Sequence, residues 1–419
     1  MEHLVYWIWL SLRCGAGSEL GSYLLKHFSS PKEIFEADES ALRAVDGIDD
    51  NIAAALLDRD LSLSHRILEY CERVNVGIMT CESAVYPERL RSIHAKPLLL
   101  YYRGRVPDID DNVMIACVGT RKCSDHGAAS ARRLGEDLAR AGAVVVSGMA
   151  LGIDACAQQG ALAAGGHTIA VLGCGIDRVY PPEHKGLMER IAKEGTLVTE
   201  YAPGTEPNGK NFPIRNRIIS GLCQGTVVVE ADLYSGSLIT ARAARMQGRD
   251  LFAYPGNPDD PRAEGTNTLI REGAKLVTCA ADILDEYELL YPHRIFTERL
   301  SRSRRRPAGR ATGKSPAHTD KEPRTPERFE RESIRSKPKK SENPPPARAS
   351  RRAEPSELGE LERLVLASMR GAMTSEEIAQ AVRAKTGTPC ETGALLGALT
   401  MLEIGGFIEA EPGGNYRPL

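Results

Sequence analysis

Lys210, Phe212, Arg215, Asn216 and Arg217 fall within eight residues of the stretch KNFPIRNRIISG. A guanidinium is a fixed fork of donors suited to phosphate. A phenyl ring offers a face on which a base can stack, worth roughly 1–3 kcal/mol per base. Basic groups with one aromatic, and no sequence-reading helix, suit single-stranded nucleic acid. A second reading makes Arg215 and Arg217 ion-pair partners of Glu200 or Glu230 and places Phe212 in the core. Residues i and i+2 of a helix point to different sides. One arginine is therefore expected to serve structure and the other the ligand.

Several apolar runs end in glycine and small polar residues. VMIACVG runs into Gly119, Thr120 and Arg121, and AVVVSG ends in Ser147 and Gly148, with Gly152 and Asp154 following at a helix start. TIAVLG runs into Gly173, Cys174 and Gly175, and VVVEA leads to Tyr234, Ser235, Gly236 and Ser237. In an open α/β sheet the carboxyl ends of the strands form the ligand crevice. Glycine lets a ligand approach the backbone there, and helix N-termini aim N–H groups and positive dipole at an anion. One such turn is ordinary loop chemistry; the set predicts an anion site, with phosphate as the anion. GCGID lacks the third glycine of a dinucleotide fingerprint, and no Walker A sequence is present.

A catalytic constellation is harder to build. Asp154, Glu200, Glu230 and Asp232 are the acids at strand ends, Ser147, Ser235 and Ser237 have no evident histidine base, and His126, His167 and His184 are scattered. No His/Cys/Asp cluster has metal-ligand spacing. The expectation is a binding protein with no catalytic residue, no metal and no cofactor.

The elements that position these residues follow from periodicity and composition. Residues 1–85 read as a helical SAM or helix-hairpin-helix-like domain, from LRCGAGSELGSYLLKHF and LRAVDGIDDNIAAALLD. Asp46, Asp49 and Asp50 in the second turn would repel a phosphate, which favours packing over DNA contact. Residues 86–295 alternate β-branched apolar runs with helical patterns: VMIACVG, AVVVSG, HTIAVLG, GTLVTEY, GTVVVEA and RDLFAYPG are the candidate strands. That alternation predicts an α/β fold with a doubly wound, mostly parallel sheet. Residues 296–356 form a basic, Pro-rich linker read as disordered. Residues 357–419 read as a winged helix, with a Thr374/Glu377 capping box. Its candidate recognition helix, about 391–404, has no Lys or Arg and carries Glu391 and Glu403, so protein contact or self-packing is expected rather than strong duplex binding.

Charge and cysteines narrow the setting. Net charge is −2, yet residues 301–356 hold 17 Lys and Arg against 7 Asp and Glu, which leaves the remainder at −12. The ten cysteines form no CxxC pair, and several lie in apolar runs, which reads as free thiols in a reducing compartment. The apolar start MEHLVYWIWLSLRC lacks a basic n-region and is shorter than the ~20 residues of a membrane span. A core helix of a cytoplasmic protein is expected.

The segments VGTRKCSDHG, SGMALGIDACAQQGALAAGGHTIAVLGCGIDRVYPPEH, GTLVTEYAPGTEPNGKNFPIRNRIISGL, VVVEADLYSGSLITARAARMQGRDLFAYPG and GTNTLIREGAKLV, in this order, resemble the DNA-processing protein A family (DprA, also called Smf). The resemblance covers roughly residues 110–280. It implies an extended Rossmann-like domain that binds single-stranded DNA, protects incoming strands in natural transformation, loads the RecA recombinase and acts as a homodimer. It implies a pocket using Gly119, Thr120, Arg121, Ser147, Gly148, Lys210, Phe212, Arg215, Asn216 and Arg217, lined also by Gly236 and Ser237. Two positions depart from the family pattern: His126 stands where an aromatic is common, and Gln158 where a histidine is common. The rival reading is a nucleotide-processing enzyme, phosphoribohydrolase-like, on a related scaffold. No PGGxGTxxE-type segment supports it.

Overall fold

Short caps and apolar stripes make the start of the chain helical: α1 (Glu2–Cys14), α2 (Leu20–His27), α3 (Pro31–Glu36), α4 (Glu39–Arg43), α5 (Asp50–Leu57) and α6 (Ser62–Arg73). Ser30 accepts from Glu33 N at 3.2 Å, Asp38 from Ala41 N at 2.8 Å and Asp49 from Ile52 N at 2.8 Å, each satisfying an orphan donor of a first turn. Asp50 pairs with Arg43 at 2.6 Å. The computed structural model describes residues 2–300 and 360–386, together with 395, 398, 399, 402, 407–411 and 415–418. The chain divides into two units, Met1–Ala311 and Thr312–Leu419. Of the linker expected at 296–356, residues 301–356 lie outside the described residues, as do Glu391 and Glu403, while 296–300 belong to the first unit: Thr297–Arg299 form a 3-10 turn and Leu300 is buried.

The first unit holds a nine-stranded sheet in the order β1-β2-β6-β5-β4-β3-β7-β8-β9. Its strands are β1 (Gly77–Thr80), β2 (Leu99–Gly104), β3 (Met114–Val118), β4 (Val144–Ser147), β5 (Thr168–Val171), β6 (Thr196–Thr199), β7 (Gly225–Val228), β8 (Asp250–Ala253) and β9 (Lys275–Leu276). The pairs from β6 through β9 are parallel; β2 runs antiparallel to both β1 and β6. The six apolar runs named from the sequence are β3 to β8. β1 falls inside the stretch 1–85 read as helical, so the sheet starts earlier than the composition suggested.

Burial on both faces explains why β3 shows no polar alternation. Ile115 and Cys117 face one core cluster, while Met114, Ala116 and Val118 face the other. The second of these clusters also contains Trp7, Trp9, Leu24 and Ile34 of the N-terminal helices. The helices that follow β1 are α7 (Glu88–Arg91), α8 (Asp125–Arg140), α9 (Ile153–Ala163), α10 (Lys185–Glu194), α11 (Asn211–Gly221), α12 (Ser237–Met246), α13 (Pro261–Arg271) and α14 (Ala280–Leu284).

Helices α8 and α9 touch main chain to main chain. A Cβ at Gly135 would overlap the Ala157 carbonyl oxygen, and one at Gly160 the Arg132 carbonyl oxygen. Overpacking a tight core destabilises by about 1–3 kcal/mol, and Gly135→Ala is expected to fall in that range. Urea unfolding reads it; an unchanged midpoint would refute the seam.

His167 supplies a pH dependence. Burial, with the like charge of Arg105 second, pushes its imidazole down from 6.5 to about 4, and its Nε2 lies 2.9 Å from Thr196 Oγ1. The folded state thus prefers the neutral ring. Its contribution is whole above pH 6.5 and is lost as pH falls through about 4. Between those values the melting temperature of the wild type should drop more than that of His167→Gln; parallel profiles would remove His167 from the account.

The second unit contains α15 (Glu360–Ser368), α16 (Ser375–Thr386) and a three-stranded antiparallel sheet of β10 (Met373–Thr374), β11 (Ile408–Glu411) and β12 (Asn415–Pro418). Glu377 N donates to Thr374 Oγ1 at 3.2 Å and Thr374 N to Glu377 Oε2 at 2.8 Å, so the capping box is present. Most of the helix expected at 391–404 lies outside the described residues. The nine described cysteines are free. Among the described residues no helix is long and apolar enough to cross a membrane.

Candidate nucleic-acid interface

From β3 the chain builds the sheet outward in one direction to β6, then restarts beside β3 with β7 and builds in the other. The loops leaving β3 and β7 therefore diverge, and a crevice opens at their carboxyl ends. A cleft of about 760 Å³ occupies it. Eight of the twelve residues expected from the sequence line this cleft: Gly119, Thr120 and Arg121 after β3, Phe212, Arg215 and Asn216 on α11, and Gly236 and Ser237 at the start of α12.

The other four lie elsewhere. Ser147 is fully buried and its hydroxyl donates to the Cys117 carbonyl at 2.6 Å. Gly148 borders a small adjoining cavity of about 40 Å³. Lys210 is exposed at the head of α11. Arg217 Nη2 donates to both Glu200 carboxylate oxygens at 2.8 Å in a largely enclosed ion pair. The Gly17 N–H, in the turn between α1 and α2, lies 3.4 Å from the same carboxylate. Arg217 thus ties α11 to β6 and the N-terminal helices.

Arg215 lines the cleft floor but points inward, only 4% exposed. Its guanidinium donates to the Gly148 carbonyl at 3.0 Å and to the Val171 carbonyl, and its Nε donates to Asn216 Oδ1 at 3.1 Å. Asp154 accepts the Gly148 N–H at 3.1 Å. Burial pushes Arg215 down to about 10, opposed by the Asp154 charge. Burial also pushes the Asp154 carboxyl up, opposed by Arg215. Each charge makes the other tolerable. Together they hold the ends of β4 and β5 against α11. The turn they hold contains Met149 at φ +54, a left-handed conformation that costs a non-glycine residue about 1–3 kcal/mol. His184 Nδ1 donates to the Met149 carbonyl at 2.9 Å and adds to that grip.

Phe212 is not a bare platform. Tyr180 stacks on it with ring centroids 5.1 Å apart and planes 26° from parallel. The Arg121 and Arg215 guanidinium carbons lie 5.5 and 5.7 Å from its centroid. One face of Phe212 is therefore taken before any base arrives, and the pair Tyr180–Phe212 is the aromatic unit. Tyr180, Lys122 and Arg262 line the cleft and were not singled out from the sequence. Lys122 adjoins Arg121 and was legible as a second cation; Tyr180 precedes Phe212 by 32 positions, and no local spacing links them. Arg121 and Lys122 are exposed, and among the described residues neither has an ion-pair partner. Glu230 bonds neither Arg215 nor Arg217; it turns to the head of α8.

A switch-point crevice in a large, mostly parallel sheet, lined by exposed cations and a stacked aromatic pair, defines an α/β protein of Rossmann-like type with a candidate anion site. The family model described as DNA recombination-mediator protein A matches residues 77–288. The chain belongs to that family, DprA/Smf, whose business is DNA processing in recombination. It is 38% identical over 289 residues to Protein Smf of Synechocystis sp., covering 68% of this chain and 71% of that one. It is 46% identical over 203 residues to DNA processing protein DprA of Streptococcus pneumoniae, covering 48% of this chain and 71% of that one. The X-ray structure of DprA from Streptococcus pneumoniae superposes with a TM-score of 0.60 at 35% identity, covering 67% of this chain and 97% of that one.

Proposed function

We propose that the cleft binds single-stranded DNA without chemical conversion, and that the protein, as a cytoplasmic homodimer, protects such strands and loads the RecA recombinase during natural transformation or recombination. The observation that carries the binding reading is the pairing of Arg121 and Lys122, exposed and without acidic partners among the described residues, with the Tyr180–Phe212 stack across one cleft. The cations suit phosphates and the rings suit bases, a combination that tolerates any sequence. The basic linker 301–356 is proposed to add non-specific affinity or to act as a spacer, and the C-terminal unit to serve protein contact.

The test is binding of labelled single-stranded and duplex oligonucleotides at two salt concentrations, for the whole chain and for a chain lacking 301–356. Single-strand binding should weaken with salt with a slope of about −0.7 per phosphate neutralised, and should survive the deletion. Binding that disappears with the linker would move the DNA off the cleft.

A further inference from the structure

We infer that Glu230 is a specificity-determining residue: its carboxylate fills the phosphate position at the head of α8 and so excludes mononucleotides and free phosphate from the crevice. This rests on the single-strand reading for what the cleft does accept.

The first turn after β3 is where an α/β crevice ordinarily receives a terminal phosphate, on the N–H groups of the following helix. Here that place is taken by the protein itself. Ser124 N donates to Glu230 Oε2 at 3.0 Å and to Oε1 at 3.3 Å, and Ser124 Oγ lies 3.2 Å from Oε2. Ser124 is also the N-cap of α8, accepting Gly127 N at 2.9 Å. The carboxylate lies so close over the first turn that a Cβ at Gly127 would overlap Oε2. Glu230 is 8% exposed. Its backbone is pinned as well, since its carbonyl accepts Thr120 N at 2.7 Å. Arg262, on the cleft wall and hydrogen-bonded to Asp260 at 2.9–3.0 Å, adds its charge with Nε 3.6 Å from Glu230 Oε1.

The donor set around Glu230 is thus that of an anion site: a helix-terminal N–H, a hydroxyl and a guanidinium. The anion is internal and cannot leave. A monoester phosphate dianion entering from the cleft would meet a fixed like charge. The internal phosphates of a strand need not enter, because Arg121 and Lys122 stand at the exposed part of the wall. The same carboxylate therefore separates a polymer from its monomers.

The experiment is calorimetric titration of AMP and of inorganic phosphate into the full-length wild type, Glu230→Gln and Glu230→Ala, with a dT oligomer titrated in parallel. The wild type should bind AMP and phosphate only weakly. Glu230→Ala should bind both about tenfold or more tightly than the wild type, Glu230→Gln should fall between, and dT binding should persist in all three. Equal affinity of AMP for wild type and Glu230→Ala, or folded variants that gain nothing, would overturn the inference. Should neither variant fold, the wild-type amide resonances of Ser124 and Gly127 decide: movement on adding phosphate refutes occupancy by Glu230, and no movement upholds it. Failure of dT to bind the wild type would instead sink the single-strand reading while leaving the AMP comparison to judge Glu230.

Discussion

Arg215→Ala should lose its fold before it loses its ligand. Removing one partner of a buried charge pair leaves the other uncompensated, which typically destabilises by about 3–5 kcal/mol. Here the orphan would be Asp154, buried at the start of α9, whose charge Arg215 balances through space without a direct ion pair and which keeps the Gly148 N–H as a donor among others. The Gly148 and Val171 carbonyls would also lose their guanidinium donor. Arg215→Lys should recover only part of the loss, because one ammonium cannot reproduce a fork that reaches the ends of two strands and Asn216. Chemical unfolding measures this directly. A variant melting with the wild type would show that the Arg215–Asp154 pair carries no structural load.

Arg121→Ala with Lys122→Ala should behave in the opposite way. Both side chains are exposed, so the melting curve should hardly move. A hydrogen bond to a charged group contributes about 1.5–3 kcal/mol, so losing two should weaken single-strand binding by more than tenfold. The salt slope should become shallower by about 0.7 for each phosphate no longer neutralised. The loss should be the same on every sequence, since binding to phosphate carries no code. A double variant whose salt slope equals that of the wild type would exclude these side chains from the phosphates. The two arginines are thus expected to divide the work: Arg215 on α11 maintains the cleft and Arg121 after β3 meets the strand.

The centre of the sheet was legible because its physics is local. A strand buried on both faces must be apolar at every position, and β3 to β8 largely are. β1 and β2 escaped that criterion: GIMT is fully buried over only its second half, and LLYYRG turns from buried to exposed along its length. The cleft was legible in the glycine turns, because the topology that gathers them follows from β/α alternation. The fates of Arg215 and Arg217 were not. Whether a guanidinium is spent inside depends on where a distant carboxylate lands. Glu200 stands 17 positions before Arg217, and Asp154 stands 61 before Arg215. The stacking of Tyr180 on Phe212 is hidden for the same reason. Even spacing on a helix said that the arginines diverge; it could not say that both turn inward.

The glycine seam between α8 and α9 has a mechanical consequence. One helix begins just beyond the Gly119–Arg121 wall and the other just beyond the Gly148 turn. With backbone resting on backbone at Gly135 and Gly160, no flexible side chain lies between them at those points to act as a cushion. The two helices form a stiff plate without a hinge. On the other side of the cleft α11 is held in turn, by Arg215 to the ends of β4 and β5 and by Arg217 to Glu200. On the proposed reading, a strand would settle into a groove braced on both sides and would need no closing lid to be held.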